Sequence, residues 1–318
     1  MNAPNTAKIT GYAHPLYARS SAEFGTPLEL SRCGGWILKR KIHGWSNCDA
    51  MGCYPLFACQ DWTGLEADLE AIGSELVSLA LVADPFGCND PEYLKRCFPD
   101  VVIPFKEHFV INLRYSLDKF VSKHHCHNAR KALEKARVEV CIDPRQFSDE
   151  WLELYAQLIA RHQITGISAF SRKALSEQLH VPGLIAFRAE QGGTPVGMNL
   201  WYVQGEVGYY HLGAYSAKGY ELKASFALFW RAIEYFAATG LHWLNLGAGV
   251  GIKPDRDSGL NRFKRGWATG SRTAYFCGRI FDRAKYWEIT RAVDRMTTDY
   301  FPAYRHIEFS QPIAESTR

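Results

Sequence analysis

Apolar side chains recur along the chain in two rhythms. Residues 222–239 place Leu222, Phe226, Phe229, Ile233 and Phe236 at helical spacing, which predicts an amphipathic helix closed by Gly240. Residues 149–162 and 171–179 read as helices in the same way. Between them and the first helix lie three extended runs, 184–190, 194–204 and 206–215, separated by Gln191-Gly192-Gly193 and by Gly205. Glycine turns between such runs predict an antiparallel meander. A short strand at 242–246 and a glycine-rich loop at 247–251 follow.

Upstream, residues 36–42 and 54–60 have strand composition, and 63–73 has helical spacing through Leu65, Leu69 and Ile72. Residues 76–83 read as a buried strand that Asp84-Pro85-Phe86-Gly87 ends, and 101–113 as further extended chain. From Ser116, a candidate N-cap, a helical pattern runs to Arg137 with Leu117, Phe120, Val121, Leu133 and Ala136 inward. These alternations predict an α/β (α+β) fold of mixed, mostly antiparallel sheets with packed helices. The composition change at Ser116 places a domain boundary there, giving units 1–115 and 116–318.

The length of 318 residues suits two domains of roughly 150 residues. At 47% hydrophobic and 22% charged, the chain can bury a core, which excludes a disordered, collagenous or coiled-coil whole. No apolar run approaches the ~20 residues a membrane span needs. The polar N-terminus lacks a signal-peptide core, so a cytoplasmic location is expected. Nine cysteines without a C-x-x-C pair argue against a disulfide framework or a zinc site. His124, His125, Cys126 and His127 are adjacent on a helix and diverge, so no metal is expected there.

Charge is local rather than global. The net charge is +4, and residues 118–137 alone hold Lys119, Lys123, Arg130, Lys131, Lys135 and Arg137 against Asp118 and Glu134. Such a helix either presents cations to phosphates or is a solvated face.

Several segments together resemble one family. The basic run Ser122-Lys123-His124-His125 through Asn128-Ala129-Arg130-Lys131-Ala132, the helix end Thr239-Gly240, the strand Leu244-Asn245-Leu246-Gly247 and the stretch Gly259-Leu260-Asn261-Arg262-Phe263-Lys264-Arg265-Gly266-Trp267 resemble the Fem-like branch of the GNAT acyltransferases. The meander, the helix packed on it and the following strand match the GNAT order. The resemblance covers about residues 116–280, and the first lobe looks like a degenerate second GNAT unit, giving tandem GNAT-like lobes. It implies transfer of an acyl or aminoacyl group from an activated carrier to an amine, without a tightly bound cofactor. The carrier would be aminoacyl-tRNA, acyl-CoA or an acyl carrier protein thioester. GNAT enzymes hold CoA pyrophosphate on an Arg/Gln-x-x-Gly-x-Gly/Ala loop, of which Ala217-Lys218-Gly219-Tyr220-Glu221-Leu222-Lys223 keeps only part. That shifts weight toward aminoacyl-tRNA or toward a donor held another way.

Aminolysis needs a neutral amine, an acceptor for its proton and donors aimed at the developing oxyanion. By the resemblance Lys264 sits at the transferase site, with Arg262 sharing it if the segment is extended. His211 and Tyr215 are the further catalytic candidates, His211 being either a proton acceptor or a hydrogen-bonded core residue. Strand alternation places Tyr209, His211 and Tyr215 on one face and Tyr210 on the other. Lys218, Lys223, Arg262, Lys123, Arg130 and Lys131 are expected to meet the donor's phosphates. Asn199, Tyr209 and Asp255 are expected at the acceptor, a small-molecule or peptide amine. No covalent nucleophile motif is present, so direct attack is expected. A non-catalytic GNAT-fold module that binds nucleic acid or protein is the other reading. Oligomeric state is left open.

Overall fold

The computed structural model describes residues 8–88, 90–249, 258–293 and 298–306. In chain order the elements are α1 Pro15–Ser20, β1 Thr26–Leu30, β2 Gly35–Lys41, β3 Cys48–Gly52, α2 Leu65–Ile72, β4 Ser78–Val82, α3 Pro91–Cys97, β5 Val101–Asn112, α4 Leu117–Phe120, α5 Lys123–Leu133 and β6 Arg137–Cys141. They continue with α6 Ser148–His162, α7 Arg172–Gln178, β7 Leu184–Gln191, β8 Thr194–Gln204, β9 Val207–Tyr215, α8 Ala217–Leu222, α9 Ala224–Ala238, β10 Trp243–Asn245, α10 Gly259–Arg265, β11 Gly270–Ile280 and α11 Arg283–Ala292.

The chain forms two compact units, interleaved in sequence. Unit 1 comprises Met1–Gly11, Lys106–His162 and Leu179–Arg272; unit 2 comprises Tyr12–Phe105, Gln163–Gln178 and Thr273–Arg318. The expected boundary at 115/116 falls inside the first long segment of unit 1. The interleaving has a simple source: unit 2 takes α7 and most of β11 from beyond its main run of sequence.

In unit 1 the strand order is β5-β10-β9-β8-β7-β6. Strands β6 to β9 pair antiparallel as the glycine turns require, while β10 lies parallel to β9 and antiparallel to β5. The parallel pair follows from α9, which carries the chain back across the sheet. Helix α9 buries Leu228, Phe229, Ile233 and Phe236 against Phe187, Trp201, Leu244 and Ile111. The opposite face carries α6, where Arg188 of β7 bonds Glu150 at 2.6 Å.

Unit 2 repeats the plan with the order β1-β2-β3-β4-β11. An antiparallel meander, β1 to β3, leads through α2 to β4, which lies parallel to β3 and antiparallel to β11. Its core is built from Leu30, Ile37, Phe57, Leu65, Leu69, Leu79, Leu81 and Leu94. A buried Asp49 between Arg40 at 3.2 Å and Arg305 at 2.7 Å ties the segment after α11 to β3.

Three expectations need correction. The 116–137 helix is broken: Ser122 caps a new helix by accepting from His125 N–H, and the chain is already β6 at Arg137. Residues 54–60 contribute a single parallel bridge, Phe57 to Ala83, and the pairing strand lies earlier, at Cys48–Gly52. Residues 259–265 form α10 rather than an extended segment, because Ser258 Oγ accepts from Asn261 N–H and starts a helix. Among the described residues no helix is long and apolar enough to cross a membrane, and no cluster of three His, Cys, Asp or Glu could hold a metal ion.

Candidate active site

The parallel register of β9 and β10 ends at Tyr209 opposite Asn245. Strand β9 continues to Tyr215, whereas the chain after β10 stays on β5: Leu246 N–H donates to Phe109 O at 2.9 Å and Phe109 N–H to Gly247 O at 3.1 Å. Gly247, at φ 71°, then turns away. The two strands therefore diverge and leave a gap in unit 1. In unit 2 the matching divergence is bridged, since Phe57 N–H donates to Val82 O at 2.7 Å and Asp84 N–H to Phe57 O at 3.0 Å.

On the α9 face of the gap lies Lys264. The α10 helix turns it inward, 6% exposed, where Nζ donates to Ala248 O at 2.6 Å and lies 5.8 Å from the centre of the Tyr210 ring. Burial, with Lys106 adding repulsion, lowers its pKa from 10.5 to about 7. Nearby, Tyr215 Oη donates to Asn199 Oδ1 at 2.8 Å, and the Tyr210 and Tyr215 hydroxyls are hydrogen-bonded. Burial pushes the Tyr210 phenol up to about 12 and raises that of Tyr215 well above its ordinary value, so both stay protonated donors. The Asn199 Nδ2 amide is buried without a hydrogen-bond partner.

The pairing of Tyr215 with Tyr210 corrects the expected alternation. The register between β8 and β9 shifts, with Trp201 opposite Tyr210 and Leu200 opposite Leu212. His211 is thus the extra residue of a β-bulge, and every position after it changes face. Gly213 makes room for the cluster, since a Cβ there would collide with the Tyr210 hydroxyl.

On the opposite face, Asn245 Oδ1 accepts from Gly247 N–H at 2.8 Å and lies 3.0 Å from His108 Nδ1. The Asn245 Nδ2 amide is buried and unpaired. His108 belongs to β5, where Val110 is the register partner of Asn245, so alternation puts His108 and Asn245 on one face. Burial lowers the His108 pKa to about 4, against the hydrogen bond to Asn245 and with help from the Lys264 charge.

The remaining expected residues divide by position. His211 and Tyr209 are buried on the α6 face, the His211 ring 4.8 Å from Tyr202, and burial lowers the His211 pKa to about 3. They do not join Lys264 and Tyr215. Arg262 is exposed on α10 while Lys264 points inward, because neighbours two apart on a helix diverge. Lys218 is exposed and paired with Glu221 at 2.9 Å. Lys223, at φ 57°, joins α8 to α9, and its Nζ donates to Asn128 Oδ1 at 2.9 Å. Lys123, Arg130 and Lys131 are all exposed on α5 and share one stripe at spacings of seven and eight. Asp255 lies outside the described residues. The roles of His108 and Asn245 were missed, although the strand period through 101–113 and the quoted Leu244-Asn245-Leu246-Gly247 strand held the signal.

The expected phosphate loop is helical. Gly219 N–H donates to Ser216 Oγ, Tyr220 N–H to Ser216 O and Lys223 N–H to Tyr220 O, and a Cβ on Gly219 would collide with Val196 O. These amides are committed to α8 and its cap. What the gap offers is a weakly basic lysine, two unpaired carboxamide N–H groups and a neutral imidazole around one opening, the donors and acceptor that aminolysis of a carbonyl requires.

Residues 122–265 match the family described as the acetyltransferase (GNAT) domain, and on that match the protein is an acyltransferase. The fold extends the likeness to nearly the whole chain. It is similar to FemX, with 14% identity, 90% of this chain and 95% of that chain covered and a TM-score of 0.62. It is also similar to L-PGS from Bacillus licheniformis, with 16% identity, coverage of 91% and 97% and a TM-score of 0.56. A search of curated proteins finds no match to this sequence.

Proposed function

We propose that the protein forms an amide by direct attack of an acceptor amine on an acyl or aminoacyl group that a carrier presents in the β9/β10 gap of unit 1. The observation that carries this reading is the divergence of the two parallel strands beyond Tyr209 and Asn245, with the Lys264 ammonium buried in it. A cation and the Asn245 amide beside the carbonyl would stabilise the oxyanion of the tetrahedral intermediate. Tyr215, Tyr210 and Asn199 would hold the acyl group from the α9 side, and Tyr209 would border the acceptor on the other. Arg262, Lys218 and Lys223 surround the donor's approach.

Aminoacyl-tRNA is the favoured donor, ahead of acyl-CoA or an acyl carrier protein thioester. Two observations support it: the amides expected to cradle pyrophosphate are occupied within α8, and the exposed stripe of Lys123, Arg130 and Lys131 suits a polyanion. The likeness to FemX and L-PGS is compatible with this choice. Unit 2, with its divergence bridged by Phe57, is read as a degenerate GNAT-like lobe without a transfer site.

Mass spectrometry of products tests the reading, after incubation with a panel of acyl-CoAs, acyl carrier protein thioesters and charged tRNAs and with small-molecule and peptide amines. An amide product that K264A abolishes is expected. Transfer from none of these donors by the wild-type protein would refute it.

A further inference from the structure

Resting on the transferase reading above, we propose that His108 is the group that takes the proton from the attacking amine, and that Asn245 fixes its tautomer for that task. Asn245 Oδ1 accepts from the main-chain N–H of Gly247 at 2.8 Å, so the atom facing His108 Nδ1 at 3.0 Å is an oxygen and can only accept. The proton of the neutral ring is therefore on Nδ1, and the lone pair is on Nε2. His108 Nε2 makes no hydrogen bond to the described residues. The ring is fixed on the lip of the gap by the β5/β10 register, on the face opposite α9 and α10.

That placement separates two roles. Lys264 reaches the gap from the α9 face, where it can meet the carbonyl oxygen, while His108 stands on the side from which an amine would approach. The charged groups around His108 are Lys106 and Glu107 on its own strand and Lys264 on α10. Desolvation and the two lysines keep the imidazole neutral, ready to accept. Low basicity suffices, because the proton comes from a nitrogen made acidic by its bond to the carbonyl carbon.

The step balances without a further reactant. The amine nitrogen bonds to the carbonyl carbon of the ester or thioester, and the carbonyl electron pair moves to the oxygen. His108 Nε2 takes one proton from that nitrogen, and the C–O or C–S bond to the carrier breaks as the carbonyl re-forms. The imidazolium returns the proton to the leaving oxygen or sulfur, giving an amide and the free carrier.

His211 is the competing imidazole, and the experiment separates the two. Kinetics of wild type, H108A, H108Q, H211Q and N245A are measured with the donor that supports transfer. H108A should lose about 100-fold or more in kcat, with KM within about threefold. Added imidazole should restore rate in proportion to its neutral fraction, and N245A should lose less than H108A. H108Q serves should H108A not fold. Nitrogen-15 NMR of the wild-type histidines should show the Nδ1–H tautomer at His108 from pH 5 to 8, a readout independent of turnover. Retention of more than a third of kcat by H108Q, loss without imidazole rescue in folded H108A, an Nε2–H tautomer, or imidazole rescue confined to H211 variants would each overturn the assignment. A wild type inert with every donor would remove the transferase reading and this step together, whereas an active wild type with an indifferent H108Q would remove only the step.

Discussion

Lys264 is held where an ammonium is unwelcome, and the consequence for stability can be worked through. Its ordinary pKa of 10.5 falls to about 7 in the fold, a difference worth about 5 kcal/mol between the protonation states. Between those pH values the unfolded chain binds more protons than the folded one, so stability rises with pH across that window. With the side chain half protonated at pH 7, its protonation destabilises the fold by about 4 kcal/mol, a penalty that falls below about 1 kcal/mol at pH 10. K264M removes it but also removes the hydrogen bond from Nζ to Ala248 O, worth about 1 kcal/mol. The variant should therefore be about 3 kcal/mol more stable than wild type at pH 7 and indistinguishable from it near pH 10, while transfer is lost. Urea unfolding of both proteins from pH 6 to 10 measures this. A K264M protein equal to or weaker than wild type at pH 7 would refute the reasoning, because it would mean that the ammonium is solvated or paired.

Acid should destabilise the protein through its buried histidines. His211 and His108, lowered from 6.5 to about 3 and about 4, leave the unfolded state holding more protons below pH 6.5, with about 3 kcal/mol lost for each by pH 4; H211F should remove about half of that loss in acid titrations followed by circular dichroism. G213A places a methyl group against the Tyr210 hydroxyl and should break the Tyr210, Tyr215 and Asn199 chain, lowering kcat while far-UV circular dichroism is retained; unchanged kcat would remove that chain from the site. Neutralising Lys123, Arg130 and Lys131 should weaken donor binding more at 50 mM than at 300 mM salt, and equal affinity at both would reduce the stripe to a solvated face. D49A leaves Arg40 buried beside an apolar side chain and should cost about 3–5 kcal/mol in chemical denaturation.

Much of unit 1 was legible because local signals and burial agreed. The meander turned where glycines allowed positive φ, and α9 ended at Gly240, whose φ is 81°. Two of the misreadings depended on partners distant in sequence, and a third on a local signal. Nothing in the strand Val207–Tyr215 announces that His211 is inserted against β8, yet that one residue moves Tyr215 to the opposite face from His211. The helix at Gly259–Arg265 was hidden by a glycine at its first position, and only the Ser258 cap marked its start. His108 read as one polar residue in an extended run until the register with β10 brought Asn245 beside it.

The interleaved path of the chain has a practical corollary for anyone wishing to dissect the protein. Strand β11, encoded after the strands of unit 1, completes the sheet of unit 2, whose other strands are encoded before them. A gene fragment stopping before β11 would leave the sheet of unit 2 short of a strand and the edge of β4 unpaired. The strands of unit 1 can be excised as the single span Lys106–Arg272, whereas those of unit 2 can be brought onto one span only by re-ordering the coding segments so that β11 adjoins β1 to β4.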